Sequence, residues 1–404
     1  MAAQEAKGKS PFYPGQPVPT DFFVGRSAQI THIINRGIAQ VAAGKPITLF
    51  VQGEYGIGKS SIAGFIQWIA EKDHGLHAIY APLGGAESLE DVGVAVLGAT
   101  VRSGGLNPTR GETVRAWLAK YIGDQSLFGM TLHAEALKKD APSIASGMLP
   151  FLQEVHARLQ PTGVKGIFLV LDEINGITAN SRFAHFIKGL VDTNAMARAP
   201  LPLMLMLCGV EERRREMIQQ HQPVDRIFDV VEIEAMNHEE MAEFFTKAFD
   251  SVQMRVDPSG MKLMTEYSAG FPKIMHLVGD AAYWLDRDGV IDERDALQAV
   301  LMAAEDVGKK YVDQQVFKAL RSAAYHSILA KIASKGPGTM TFKRADILKG
   351  LTDAERKKFG NFLRKMASLN VLRQGDYVGE YRFNLRMVLL YIWLQSSQAR
   401  SSGK

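Results

Sequence analysis

The stretch Gly53-Glu54-Tyr55-Gly56-Ile57-Gly58-Lys59-Ser60 satisfies every fixed position of the phosphate-binding pattern G-x-x-x-x-G-K-[ST]. Glycines let a backbone wrap an anion with its own N–H groups, and the positive end of a following helix faces the same charge. In that arrangement the N–H groups from Gly53 through Ser61 form the cradle. Lys59 reaches the β- and γ-phosphates of ATP, and the Ser60 hydroxyl holds Mg²⁺. A second candidate cluster lies more than 100 residues further on, where the apolar run Gly166–Leu171 ends in Asp172 and Glu173. Carboxylates at the end of a buried strand are costly unless they meet a cation. Read with the loop, Asp172 holds Mg²⁺ through water and Glu173 polarises the attacking water. Hydrolysis is then mostly positioning and charge neutralisation. The bland alternatives are an ordinary glycine turn before a helix and two solvated loop carboxylates; finding both motifs in one chain argues against them.

These residues need strands and helices to hold them. Ile47–Gln52 reads as a buried strand entering the loop, and Ser60 to Glu71 has the apolar spacing of a helix leaving it. Further strands are expected at His77–Pro82, Gly166–Leu171, Leu201–Leu207 and Val230–Ile233, alternating with helical periodicity. That alternation predicts an α/β unit with a mainly parallel sheet. The segment from Leu83 to Lys165 is long for one crossover and should carry extra helices. From Asn237 to Gly308 the pattern is wholly helical, with helices at His238–Phe249, Pro258–Ser268, Pro272–Leu285 and Glu293–Glu305. Residues 313–396 read as helix, short helix, long helix, strands Val371–Gln374 and Glu380–Phe383 around a turn, and a last helix Leu385–Leu394. That order suggests a winged helix-turn-helix.

Composition narrows the class. A chain of 404 residues exceeds one typical core and implies about two or three domains. A single cysteine, Cys208, excludes an internal disulfide framework and a cysteine-based zinc site. The ten histidines show no metal-binding spacing. The polar start, Met1 to Thr20, has no apolar signal region, and the longest apolar stretch, residues 199–210, is too short for a membrane span. A cytoplasmic protein without membrane contact is expected. Charge is uneven. Residues 309–404 carry 19 Lys and Arg against 6 Asp and Glu, whereas the rest carries 28 against 37. Such asymmetry suggests a basic module for a polyanion.

Taken together, residues 22–396 resemble the AAA+ ATPases, in particular initiator-like and signal-transducing (STAND-type) members that end in a winged helix. The resemblance implies an α/β P-loop NTPase core of AAA+ type, an α-helical lid and a C-terminal winged-helix domain. The boundaries are a flexible arm at 1–20, the core at 21–236, the lid at 237–308, the winged helix at 309–396 and a flexible tail at 397–404. Phe23-Val24-Gly25-Arg26 looks like the family's N-terminal motif, which lies beside adenine and ribose. Arg226 sits where the family places an arginine finger that completes a neighbour's site; the alternative is a surface arginine paired with Asp225 or Asp229. Ser268-Ala269-Gly270-Phe271-Pro272-Lys273 looks like the lid motif, with Lys273 sensing nucleotide. Two departures stand out. The run Leu205 to Val210 lacks the usual polar first sensor, and Lys273 replaces a commoner arginine, losing its bidentate fork. Slow hydrolysis is expected. The resemblance also implies homo-oligomers on ATP binding, with ATP between core and lid.

On a helix from Asp353 to Leu369, turning about 100° per residue, Phe359, Phe362, Leu363, Met366 and Leu369 share one face. Lys357, Lys358, Arg364 and Lys365 lie on the other. Core on one side and cations on the other suits a helix that meets duplex DNA, with Arg373 and Arg382 flanking a wing. The competing expectation is a signalling switch whose module binds a partner protein. A third is a nucleotide binder that scarcely hydrolyses.

Overall fold

The computed structural model describes residues 7–16, 18–122, 147–336, 338–375 and 377–402. They form two compact units, Pro17–Glu234, and Met1–Gln16 together with Ala235–Lys404.

The first unit is built on five parallel strands: β1 (Ile47–Gln52), β2 (Leu76–Pro82), β3 (Gly166–Asp172), β4 (Leu203–Gly209) and β5 (Asp229–Glu232). Their order across the sheet is β2-β3-β4-β1-β5. Every residue of β3 and β4 is buried, which is why both read as unbroken apolar runs. Register fixes the functional ends. Pro82 pairs with Asp172, Leu171 with Leu207, and Cys208 and Gly209 with Val51 and Gln52. The carboxyl ends of β1 to β4 therefore finish side by side, as ligand sites in open α/β sheets require. Between β2 and β3 run the helices Leu89–Arg102, Pro108–Ile122 and Met148–Leu159, the extra helices expected of that segment. The first opens with a capping box in which Ser88 and Asp91 bond each other's backbone N–H groups.

The second unit begins with helices His238–Asp250, Pro258–Ser268, Pro272–Leu285 and Glu293–Val307. It is not wholly helical. Arg255–Val256 (β6) and Val290–Ile291 (β7) form a small parallel pair. Two-residue strands have no readable period, so the sequence pattern could not announce them. The last helix runs on without a break as wide π-type turns over Gly308–Phe317, through the junction expected at 308/309. Residues 7–16, taken from the sequence as flexible arm, pack against this unit. Phe12 is buried, its ring 5.0 Å from Phe249 and 5.9 Å from Phe244. Beside it the Tyr13 N–H donates to His276 Nδ1 at 3.1 Å.

Burial pushes the His276 imidazole down to about 4, and His77 in the first unit likewise. Both are held neutral when folded, whereas an unfolded histidine takes its proton near 6.5. Their stabilisation is full above pH 6.5 and is lost as pH falls toward 4, at roughly 3 kcal/mol for each. The thermal midpoint should therefore drop steeply between pH 6.5 and 4.5, and His276→Gln should show a shallower drop. An equal slope in that variant would remove His276 as a cause.

The chain then forms Ala323–Ala333, β8 (Thr341–Lys343), Arg344–Lys349, Asp353–Ser368, β9 (Leu372–Gln374), β10 (Glu380–Phe383) and Arg386–Ser402. The three strands make an antiparallel sheet in the order β8-β10-β9, so a third strand joins the two expected. Buried Glu355 fastens helix 353–368 to helix 323–333 through Lys331 Nζ and Ser327 Oγ, both at 2.7 Å, and accepts the Thr352 N–H. The Lys331 ammonium and these hydrogen bonds hold its carboxyl down to about 2.

Candidate active site

The phosphate loop closes as its glycines dictate. Gly58 has φ 101°, a left-handed conformation that side chains resist, and begins the helix Lys59–Asp73. A Cβ on Gly53 would lie 2.6 Å from the Ile233 carbonyl oxygen, so only glycine fits there. Helix geometry leaves the N–H groups of the first turn, at Lys59, Ser60 and Ser61, without helical acceptors and open to an anion. Lys59 Nζ donates to the Gly53 and Glu54 carbonyls, each at 2.8 Å, and lies 5.6 Å from the Tyr55 ring centre. Burial lowers the Lys59 pKa, while nearby Asp172 and Glu173 work against that shift. A half-buried cation curled into its own loop near two carboxylates suits a phosphate placed between them.

Asp172 is 3% exposed. Its Oδ1 accepts the Glu173 N–H at 2.9 Å and its Oδ2 accepts the Tyr80 O–H. Burial, then the Asp172 charge, raise the Tyr80 pKa, so that the phenol keeps its proton. Glu173 is exposed with φ 56°, a left-handed residue just after β3. Such backbone costs on the order of 1–3 kcal/mol and collects at functional sites. A Cβ on Gly84 would stand 2.5 Å from Glu173 Oε2, so the turn after β2 is kept bare where this carboxylate rests. The end of β4 supplies Cys208, fully buried, its thiol pKa driven up by burial.

The remaining expected residues fall in different surroundings. Arg26 follows Gly25 in the left-handed region, is 5% exposed, and donates to the Ile57 carbonyl at 3.1 Å and to the Glu234 carbonyl. It ties the N-terminal motif to the phosphate loop. Arg226 is exposed, and no ion pair to it is found among the described residues. Its two neighbouring carboxylates are engaged elsewhere: Asp225 with Arg214 at 2.5 Å, and Asp229 with His32 at 3.1 Å and Arg36 at 3.4 Å. Lys273 is exposed in the first turn of Pro272–Leu285, in the second unit. Sequence reasoning missed Tyr80; Arg214, which the sequence offers with Arg213 and Arg215 as a second finger candidate in a mostly solvated cluster, also donates to Gln52 Oε1 at the end of β1 at 3.1 Å.

The basic face of helix 353–368 lines a groove of about 780 Å³. Lys358, Arg364 and Lys365 border it, joined by Arg321 and Tyr325 from the preceding segment, and no carboxylate lines it. Lys357 is exposed on the same helix. On the sheet, Arg373 and Arg382 are exposed and directly paired in register. Like charges facing across strands repel unless an anion meets them.

Sheet order, the phosphate loop after β1 and the carboxylate pair after β3 define the AAA+ type of P-loop NTPase fold. No family model and no curated protein matches the sequence. Solved structures do. The Walker-type ATPase of Pyrococcus abyssi superposes with TM-score 0.57 and 15% identity, over 92% of this chain and 96% of that one. The ORC2 protein of Aeropyrum pernix, in ADPNP–ADP complexes, gives TM-score 0.57 and 13% identity over 93% of each chain. At such identity the likeness is one of fold. Among the described residues, no helix is long and apolar enough to cross a membrane.

Proposed function

We propose that this chain is a slow ATPase whose nucleotide state governs assembly on duplex DNA. The observation that carries the ATPase part is that Lys59 and Ser60, on a left-handed glycine loop after β1, and Asp172 and Glu173, at the end of β3, stand at the same edge of the sheet with only β4 between them. The similar structures are, by their descriptions, a Walker-type ATPase and a protein solved with adenine nucleotides, which agrees with that reading. In it Lys59 turns from its loop carbonyls to the β- and γ-phosphates. Ser60 and Asp172 hold Mg²⁺, which neutralises phosphate charge when bound. Glu173 orients and deprotonates the attacking water. Arg226, exposed and without an ion pair among the described residues, serves a neighbouring subunit's site in a homo-oligomer formed on ATP binding, and Lys273 senses the nucleotide.

The DNA part rests on the basic groove. We read residues 323–396 as a winged helix: helix 353–368 presents Lys357, Lys358, Arg364 and Lys365, and the β9–β10 hairpin presents Arg373 and Arg382. Phosphates would relieve the repulsion of that arginine pair. Replication initiation, transposon target choice and mobile-element defence all fit such a switch. Lys357→Glu with Arg364→Glu should weaken duplex binding about tenfold or more and flatten the salt slope by about two. ATP turnover of the free protein should be spared. Undiminished DNA affinity would place the contact elsewhere.

One feature favours a second reading, the STAND-type signalling switch with a protein partner. Tyr377 and Val378 protrude from the hairpin tip, 74% and 108% exposed. Phosphate release from ATP, with and without duplex DNA, separates the two. Stimulation by DNA that disappears in Lys59→Ala supports the first; turnover indifferent to DNA supports the second.

A further inference from the structure

Tyr80 is the one hydroxyl-bearing side chain in the buried run of β2, and its phenol reaches sideways to the neighbouring strand end. Its O–H donates to Asp172 Oδ2, while Asp172 Oδ1 is taken by the Glu173 N–H at 2.9 Å. The two donors take different oxygens of one buried carboxylate, so they fix the plane of that group and the direction of its remaining lone pairs. A carboxylate can only accept, so the single phenol proton is committed to Asp172.

We propose that Tyr80 is a positioning residue for divalent metal: its phenol orients Asp172, one of the two side chains assigned to Mg²⁺. This rests on the nucleotide-site reading above and adds to it a residue on a different strand. Hydrogen bonds from the layer behind a metal's ligands typically change metal affinity 10- to 100-fold. Among the described residues Tyr80 makes no hydrogen bond to the phosphate loop's N–H groups or to Lys59, so its effect should be confined to the metal-dependent share of nucleotide affinity.

The test is calorimetric titration of the full chain with ATP, in EDTA and in Mg²⁺, for wild type and Tyr80→Phe. The expected result is equal affinity in EDTA and a loss of about tenfold or more in the gain that Mg²⁺ confers. In an Asp172→Asn background the same substitution should add nothing. An undiminished Mg²⁺ gain in Tyr80→Phe, an equal loss with and without Mg²⁺, or a further loss on top of Asp172→Asn would each overturn the proposal. A wild-type protein whose ATP affinity ignores Mg²⁺ would overturn the site assignment itself, before any variant is made. Should Tyr80→Phe fail to fold, Tyr80→Leu removes the same donor: the Mg²⁺ gain should again fall about tenfold or more with EDTA affinity intact, and a retained gain would overturn the proposal.

Discussion

Replacing Lys59 with alanine should abolish measurable ATP binding. Each charge-assisted hydrogen bond from a lysine to phosphate is worth about 1.5–3 kcal/mol. Two of them, on the β- and γ-phosphates, amount to a loss of roughly two to four orders of magnitude in affinity. The variant also frees the Gly53 and Glu54 carbonyls, which Lys59 holds at 2.8 Å, so the loop loses its internal tie along with its cation. Calorimetric titration with ATP checks this. Full affinity in Lys59→Ala would sink the phosphate-loop assignment.

Glu173→Gln should keep ATP affinity and stop turnover. The substitution preserves size and hydrogen-bonding reach but removes the base, a contribution of about 10²–10⁴ in rate for a positioned general base. Two local features make the separation clean. The Glu173 backbone is already left-handed, and its N–H, not its carboxylate, fastens Asp172. The side chain can therefore change without disturbing the metal-holding carboxylate. Phosphate release at saturating ATP is the measurement. Unchanged hydrolysis would take Glu173 out of the base role and leave water activation to another group near the strand ends.

The core was legible because strands buried on both faces are apolar runs, and β1, β3 and β4 hold little else. The end of β4 was placed two residues short, since Cys208 and Gly209 are too small to extend an apolar signal. The short strands β6, β7 and β8 escaped notice because two or three residues carry no period. The site was legible where it is local. Gly53 to Ser60 and Asp172-Glu173 are each contiguous, so spacing alone names them. Tyr80 was not, for a tyrosine inside a strand is ordinary β-propensity until β2 pairs with β3 and its phenol reaches Asp172. Nor could spacing show that Arg214 takes Asp225 and so leaves Arg226 without its nearest partner.

The unbroken helical path from Glu293 to Phe317 has a mechanical meaning. A hinge needs slack, and here there is none: a Cβ on Gly308 would sit 2.2 Å from the Tyr391 ring, and Arg386 of the terminal helix is clamped to Glu266 at 2.5 Å. The helices after Ala235 are thus packed directly onto the terminal helix. A torque applied near Lys273 would reach that helix as a change of angle instead of a change of shape.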